Sequence, residues 1–175
     1  MTSVRVNYAR VRRVAEKLLA NQTKPPVDLQ KIVDALGAEV RMLELAADIS
    51  GLLFREEGRR LIIVNQDHGA VRQRFSIAHE IAHLALHKGE AVHVDQGFRI
   101  NLRSPRSATA EDAEEIEANA FAANLLMPAA WLRREPAYSS IELDDENEIG
   151  SLAEKYQVST QAMLIRLATL LRPDR

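Results

Sequence analysis

Apolar positions recur at helical spacing near the start of the chain. Val11, Val14, Ala15, Leu18 and Leu19 share one face of residues 6–20, which predicts a helix there. Lys24-Pro25-Pro26 breaks the run, and Asp28 then reads as the cap of a second helix, Leu29 to Leu36, closed by Gly37. The period next shifts to two. Glu39–Leu43 reads as a strand, and Leu52–Arg55 with Arg60–Val64 reads as a hairpin around Glu56-Glu57-Gly58. Asn65 to Gly69 leads into another helix, with Asp67 or Ser76 as its cap. In that helix, within residues 70–88, the apolar residues Phe75, Ile77, Ala78, Ile81, Ala82, Leu84, Ala85 and Leu86 go all the way round, so it is expected to be buried. Lys88 and Gly89 read as its last turn and C-cap.

Further on, Val92 and Val94, then Phe98, Ile100 and Leu102, alternate with polar residues on either side of Asp95-Gln96-Gly97, which predicts a second hairpin. Ser104 to Ala108 reads as a linker, and Thr109 as the cap of a helix over 111–128 that Met127-Pro128 stops. Pro128 can open a short helix, Ala129–Arg134, in which Trp131 is a packing residue. Glu135 to Glu148 reads as an exposed acidic loop. Leu152–Tyr156, a Gln157-Val158-Ser159-Thr160 turn and Ala162–Leu171 have the outline of a helix-turn-helix. The expected fold is α+β, a small mixed or antiparallel sheet packed on a helix pair. Residues 1–148 form the main domain, and 149–175 a C-terminal helical element.

Composition narrows the function classes. A formal net charge of −2 carries no broad basic field for nucleic acid. Arg5, Arg10, Arg12, Arg13 and Lys17 make one end locally basic, which reads as a solvated helix face. The absence of cysteine removes disulfides and thiolate metal sites and fits a reducing compartment. No apolar run has membrane-spanning length and the first residues lack a signal-peptide core, so the expected location is the cytoplasm. The second helix of the C-terminal pair opens on Ser159, Thr160 and Gln161 and continues through Leu164 and Ile165, with Arg166 its basic residue. Gln157 stands where such motifs usually place glycine. A DNA reader needs basic and polar groups at the start of that helix, so this pair reads as a packing or protein-docking element.

The chemistry lies in His79-Glu80-Ile81-Ala82-His83. On a helix, residues four apart stand one turn apart on one face, so His79 and His83 can present two imidazoles to one metal ion. Zinc suits such ligands, and a catalytic zinc keeps one position for water. In zinc peptidases the Glu after the first His, here Glu80, takes a proton from that water. A buried helix carrying two histidines and a carboxylate needs partners for them, and a metal supplies them. The third ligand should come from residues 111–128. Glu115 shares a face with Ala118, Asn119 and Ala122, small or polar residues that allow close helix packing. Glu117 lies about 200° round the helix from Glu115, so both cannot reach one metal. Glu115 is the better candidate and Glu117 the alternative. Asn119 is a candidate partner for a ligand. His87 is not at a metzincin spacing and is disfavoured as a ligand. His93 could face the site but reads as an exposed strand histidine. Tyr138, His68, His87 and His93 are the candidates for an oxyanion partner.

RQRFSIAHEIAHLALH followed by EIEANAFAANLLMP resembles the ImmA/IrrE family of zinc metallopeptidases. The similarity extends to DLQKIVDALGAEV, SGLLFREEGRRLIIVN and LAEKYQVSTQAMLIRL, and so to most of the chain. The resemblance implies a zincin-like domain, zinc held by His79, His83 and Glu115, and Glu80 as the catalytic base. It also implies a protein substrate, a helix-turn-helix repressor in phage, mobile-element, toxin–antitoxin or stress-response systems. The alternatives are a non-catalytic regulator that binds a repressor or toxin through the zincin fold, and a DNA-binding protein with structural zinc.

Overall fold

The computed structural model describes residues 5–56, 58–88, 91–95 and 110–172. Helix α1 (Tyr8–Leu18) starts where the Asn7 side chain accepts a bond from Arg10 N at 2.9 Å, and it buries Val11 and Ala15. Helix α2 (Leu29–Ala35) starts on Asp28, which caps Lys31 N. Gly37, at φ 63°, turns the chain back so that Ala38 N–H reaches the Val33 carbonyl at 3.0 Å.

Strands β1 (Glu39–Leu43), β2 (Gly51–Glu56), β3 (Arg59–Asn65) and β4 (Val92–Asp95) form a mixed sheet in the order β1-β3-β2-β4. β1 runs parallel to β3, and β2 is antiparallel to both β3 and β4. Gly51 lies opposite Val64 and Leu53 opposite Ile62, so one buried face carries all four. That face meets helix α3 (Ala70–Leu86). Helix α4 (Ala110–Leu126) packs along α3 through Ala118, Phe121 and Ala122, and α1 crosses α4. Small side chains on α4 let the two backbones approach. The helix carrying the motif is thus held between sheet and helix, with its motif residues buried.

Helix α5 (Ala129–Leu132) follows Pro128 as expected and buries Trp131. The acidic stretch after it differs from expectation. Pro136–Ser139 forms a 3-10 turn, Ile141 is buried, and Glu135 accepts bonds from Tyr156 Oη at 2.9 Å and Lys155 Nζ at 2.6 Å. Helix α6 (Glu146–Tyr156) begins earlier than the apolar pattern suggested, because the Asp145 carboxylate caps Asn147 N and Glu148 N and Ile149 is buried beneath. Gln157 adopts the left-handed conformation, at φ 54°, before α7 (Thr160–Leu170), which Ser159 caps. α7 is tied to the end of α4 by Arg166, whose Nε donates to Met127 O and whose Nη2 donates to Asn124 Oδ1.

Two boundary readings need correction. Neither Asp67 nor Ser76 caps α3; Gly69 occupies the cap position without a side-chain bond, and Ser76 is buried within the helix. The helix ends at Leu86 with His87 already extended, ahead of Gly89. Gly89, Glu57, the strand read at Phe98–Leu102, the Ser104–Ala108 linker and Thr109 lie outside the described residues. No described helix is long and apolar enough to cross a membrane.

Candidate metal centre

His79 and His83 project from the same face of α3, with their Nε2 atoms 3.1 Å apart. Glu115 arrives from α4 and bridges them, Oε2 lying 3.2 Å from His79 Nε2 and Oε1 3.2 Å from His83 Nε2. The other ring nitrogens are engaged as well. His79 Nδ1 faces Asn119 Oδ1 at 3.1 Å, so it carries a proton and Nε2 is the nitrogen turned to Glu115. His83 Nδ1 faces His87 Nδ1 at 3.2 Å, and His87 Nε2 faces Glu117 Oε2 at 3.2 Å. Glu117 Oε1 in turn accepts the Asn7 N–H at 2.7 Å. Read from the carboxylate back, each step fixes the next tautomer: His87 donates to Glu117, and His83 donates to His87. Both Nε2 atoms then face Glu115 and each other.

The two glutamates in question therefore part as the helical angle requires. Glu115 turns to the histidine pair and Glu117 to His87 on the far side. Asn119 stands where a ligand's partner was expected. His87 does not join the pair; it supports His83 from behind. Arg55 steadies this end of α3 by donating from Nη1 to the His83 and His87 carbonyls.

Glu80 is fully buried beside them, and both its carboxylate oxygens lack a hydrogen-bond partner among the described residues. The nearest strand makes room for it with a glycine. A Cβ on Gly51 would lie 3.1 Å from Glu80 Oε1.

His93 corrects the sequence reading. Its partner across the ladder is Leu53, and that of Asp95 is Gly51, so both side chains stand on the buried face of the sheet. Val92 and Val94 are the exposed ones, at 48% and 41%. The alternation was right and its direction was inverted. An apolar pair normally claims the core, but here the core face at this end of the sheet is a polar site. His93 Nε2 lies 3.3 Å from Glu115 Oε1, and its ring lies over that of His83 with centroids 3.9 Å apart. Of the other oxyanion candidates, Tyr138 is on the 3-10 turn and packs against the core, and His68 is in the loop before α3.

The electrostatics follow from burial and proximity. Burial opposes a charge on His79, but the hydrogen bond to Glu115 and the Glu80 carboxylate prevail and push it up to about 9. Burial pushes Glu80 up to about 8, with Asp95 and Glu115 adding to the effect. Burial pushes His83 down to about 4, and lowers His93 as well. Glu115 is desolvated too, yet its hydrogen bonds with His79 and His83 hold it well below the usual carboxylate range.

These residues fit a metal ion. At zinc–ligand lengths of about 2.0–2.1 Å, tetrahedral ligand atoms stand roughly 3.3 Å apart. The three contacts among His79, His83 and Glu115 measure 3.1, 3.2 and 3.2 Å. Two buried imidazoles packed this closely against a carboxylate suit a cation between them.

A four-stranded mixed sheet against a buried HExxH helix, with a glutamate brought in from a neighbouring helix, defines a metallopeptidase-type domain. The family model for the IrrE N-terminal-like domain, Peptidase_M78, matches residues 33–168, and the chain belongs to that family. No curated protein matches the chain.

Proposed function

We propose that this protein is a zinc-dependent endopeptidase that cleaves a protein partner, a helix-turn-helix repressor in a phage, mobile-element, toxin–antitoxin or stress-response circuit. One observation supports the chemistry above all: a triangle of metal-ligand atoms with an unpartnered, fully buried glutamate beside it. His79 Nε2, His83 Nε2 and Glu115 would hold zinc. When bound there, zinc acidifies a water molecule and polarises the scissile carbonyl.

The protein's own groups do the rest. Asn119 and the His87–Glu117 chain hold the two imidazoles in one tautomer. Glu80 accepts the proton of the attacking water and passes it to the leaving amine nitrogen. Water's oxygen joins the carbonyl carbon, the C–N bond breaks, and the glutamate is returned to its starting state. A raised proton affinity suits a group that must both take and release a proton near neutral pH.

Family membership supports a peptide substrate. β4, beside the site, is an edge of the described sheet, and such an edge suits an extended segment of chain, so a bond within a stable helix must first open. The test is to mix the zinc-loaded protein with a helix-turn-helix repressor encoded beside it and with casein, and to map products by mass spectrometry. Selective cutting of the repressor is expected. Efficient casein digestion with an intact repressor would sink the dedicated partner. A cellular effect that survives Glu80→Gln would point instead to a regulator acting by binding alone.

A further inference from the structure

The centre contains a donor that the three-ligand reading does not use. His93 Nε2 is buried and has no hydrogen-bond partner among the described residues, although Glu115 Oε1 is 3.3 Å away; the contact lacks hydrogen-bond alignment. Its ligating nitrogen, those of His79 and His83 and a Glu115 oxygen all lie within 4.8 Å of one another. The position is built and not incidental. His93 is held on the inner face of β4 opposite its ladder partner Leu53, and its ring meets that of His83 at a tilt of 31°, centroids 3.9 Å apart. A buried imidazole nitrogen beside two others and a carboxylate, outside their hydrogen bonds, stands where a further metal ligand would stand.

Resting on the zinc-site reading above, we propose that His93 is a fourth, displaceable zinc ligand that keeps this peptidase latent. Catalytic zinc sites have three protein ligands and an open position, whereas four protein ligands close the site. With His93 bound, a water has no place on the metal and Glu80 has nothing to deprotonate. Opening is a ligand exchange: neutral imidazole leaves, neutral water enters, and no charge or electron changes hands. His93 is the ligand best able to leave. It sits on a four-residue strand, whereas the other three sit on long packed helices. A substrate segment that shifts β4 would open the site only where it docks. Latency toward unrelated protein and activity toward one partner would then have one cause.

The experiment compares the full chain with His93→Ala and His93→Phe; the second keeps a ring over His83 without the nitrogen. Each is loaded with zinc alone and checked for one zinc per chain. Zinc-edge X-ray absorption should count three imidazoles in the parent protein and two in each variant. Dye-labelled casein should be cut at least tenfold faster by the variants. Two imidazoles in the parent protein would overturn the proposal while leaving the zinc site intact. Three imidazoles with no gain, or a loss, of casein cleavage in both variants would overturn latency. A parent protein that takes up no zinc would overturn the underlying site reading, and this proposal with it.

Discussion

Gly51 and Glu80 meet across the sheet–helix interface with no space for a side chain between them. A Cβ at residue 51 would be 3.1 Å from Glu80 Oε1 and 3.4 Å from the Ile63 carbonyl, tighter than ordinary contact. Gly51→Ala should therefore push the glutamate aside and leave the imidazoles alone. Glu80 need move only a few tenths of an ångström, so peptide cleavage is expected to fall measurably with zinc content unchanged. Loss of zinc in that variant would show that the cradle serves the ligands rather than the base. Glu80→Gln keeps the shape and removes the base. It should retain zinc and lose activity by about 10²–10⁴-fold, read as cleavage of the proposed protein substrate. The third ligand is tested in the same way by metal analysis. His79→Ala, His83→Ala and Glu115→Ala should each abolish stoichiometric zinc. Glu117→Ala should keep zinc at an affinity about 10–100-fold weaker, because it supports His83 only through His87. The reverse result, with Glu117 essential and Glu115 dispensable, would reassign the ligand.

Among the elements, α7 buries a cation, Arg166, beside the apolar Met163 and Leu167. Arg166 is 9% exposed and bonds the Met127 carbonyl at 3.0 Å and Asn124 Oδ1 at 2.9 Å, across the end of α4. Arg166→Ala removes both bonds and leaves a carbonyl without its donor. Stability should drop by about 2–3 kcal/mol, measured as a lower urea midpoint. The zinc ligands on α3 and α4 should be unaffected at temperatures where the variant stays folded. This role also explains the poor DNA-reading face noted in the sequence. The basic residue of that helix is turned inward to a helix end.

At the scale of the whole molecule, a metal held by His79, His83 and Glu115 would join α3 to α4, so its binding should stabilise the fold. A ligand that binds only the folded chain, supplied at 100 times its dissociation constant, contributes about 2.7 kcal/mol. For a chain of this size that raises the melting temperature by roughly 5–10 °C. Zinc should produce such a shift in a thermal scan and a chelator should reverse it. His79→Ala should show neither, and an equal shift there would locate the bound ion elsewhere.

Much of this was legible in the chain because it is local. The spacing of His79 and His83 puts both on one helical face, and the apolar surround of residues 75–86 buries them. The helical angle showed that Glu115 and Glu117 could not share one metal, and left Glu117 as the alternative. The strands of the first hairpin, the Asp28 cap and the Gly37 turn were likewise set by neighbours within a few residues. What the tertiary structure decided depends on register and on distant partners. The inward turn of His93 follows from its pairing with Leu53, 40 positions away in the chain, and the apolar residues beside it pointed the other way. The room for Glu80 comes from a glycine on another strand, and the support for His83 runs through His87 and Glu117 to the backbone of Asn7. Helical periodicity can be read from one segment; which strand face meets which helix is fixed only when the sheet, α3 and α4 pack together.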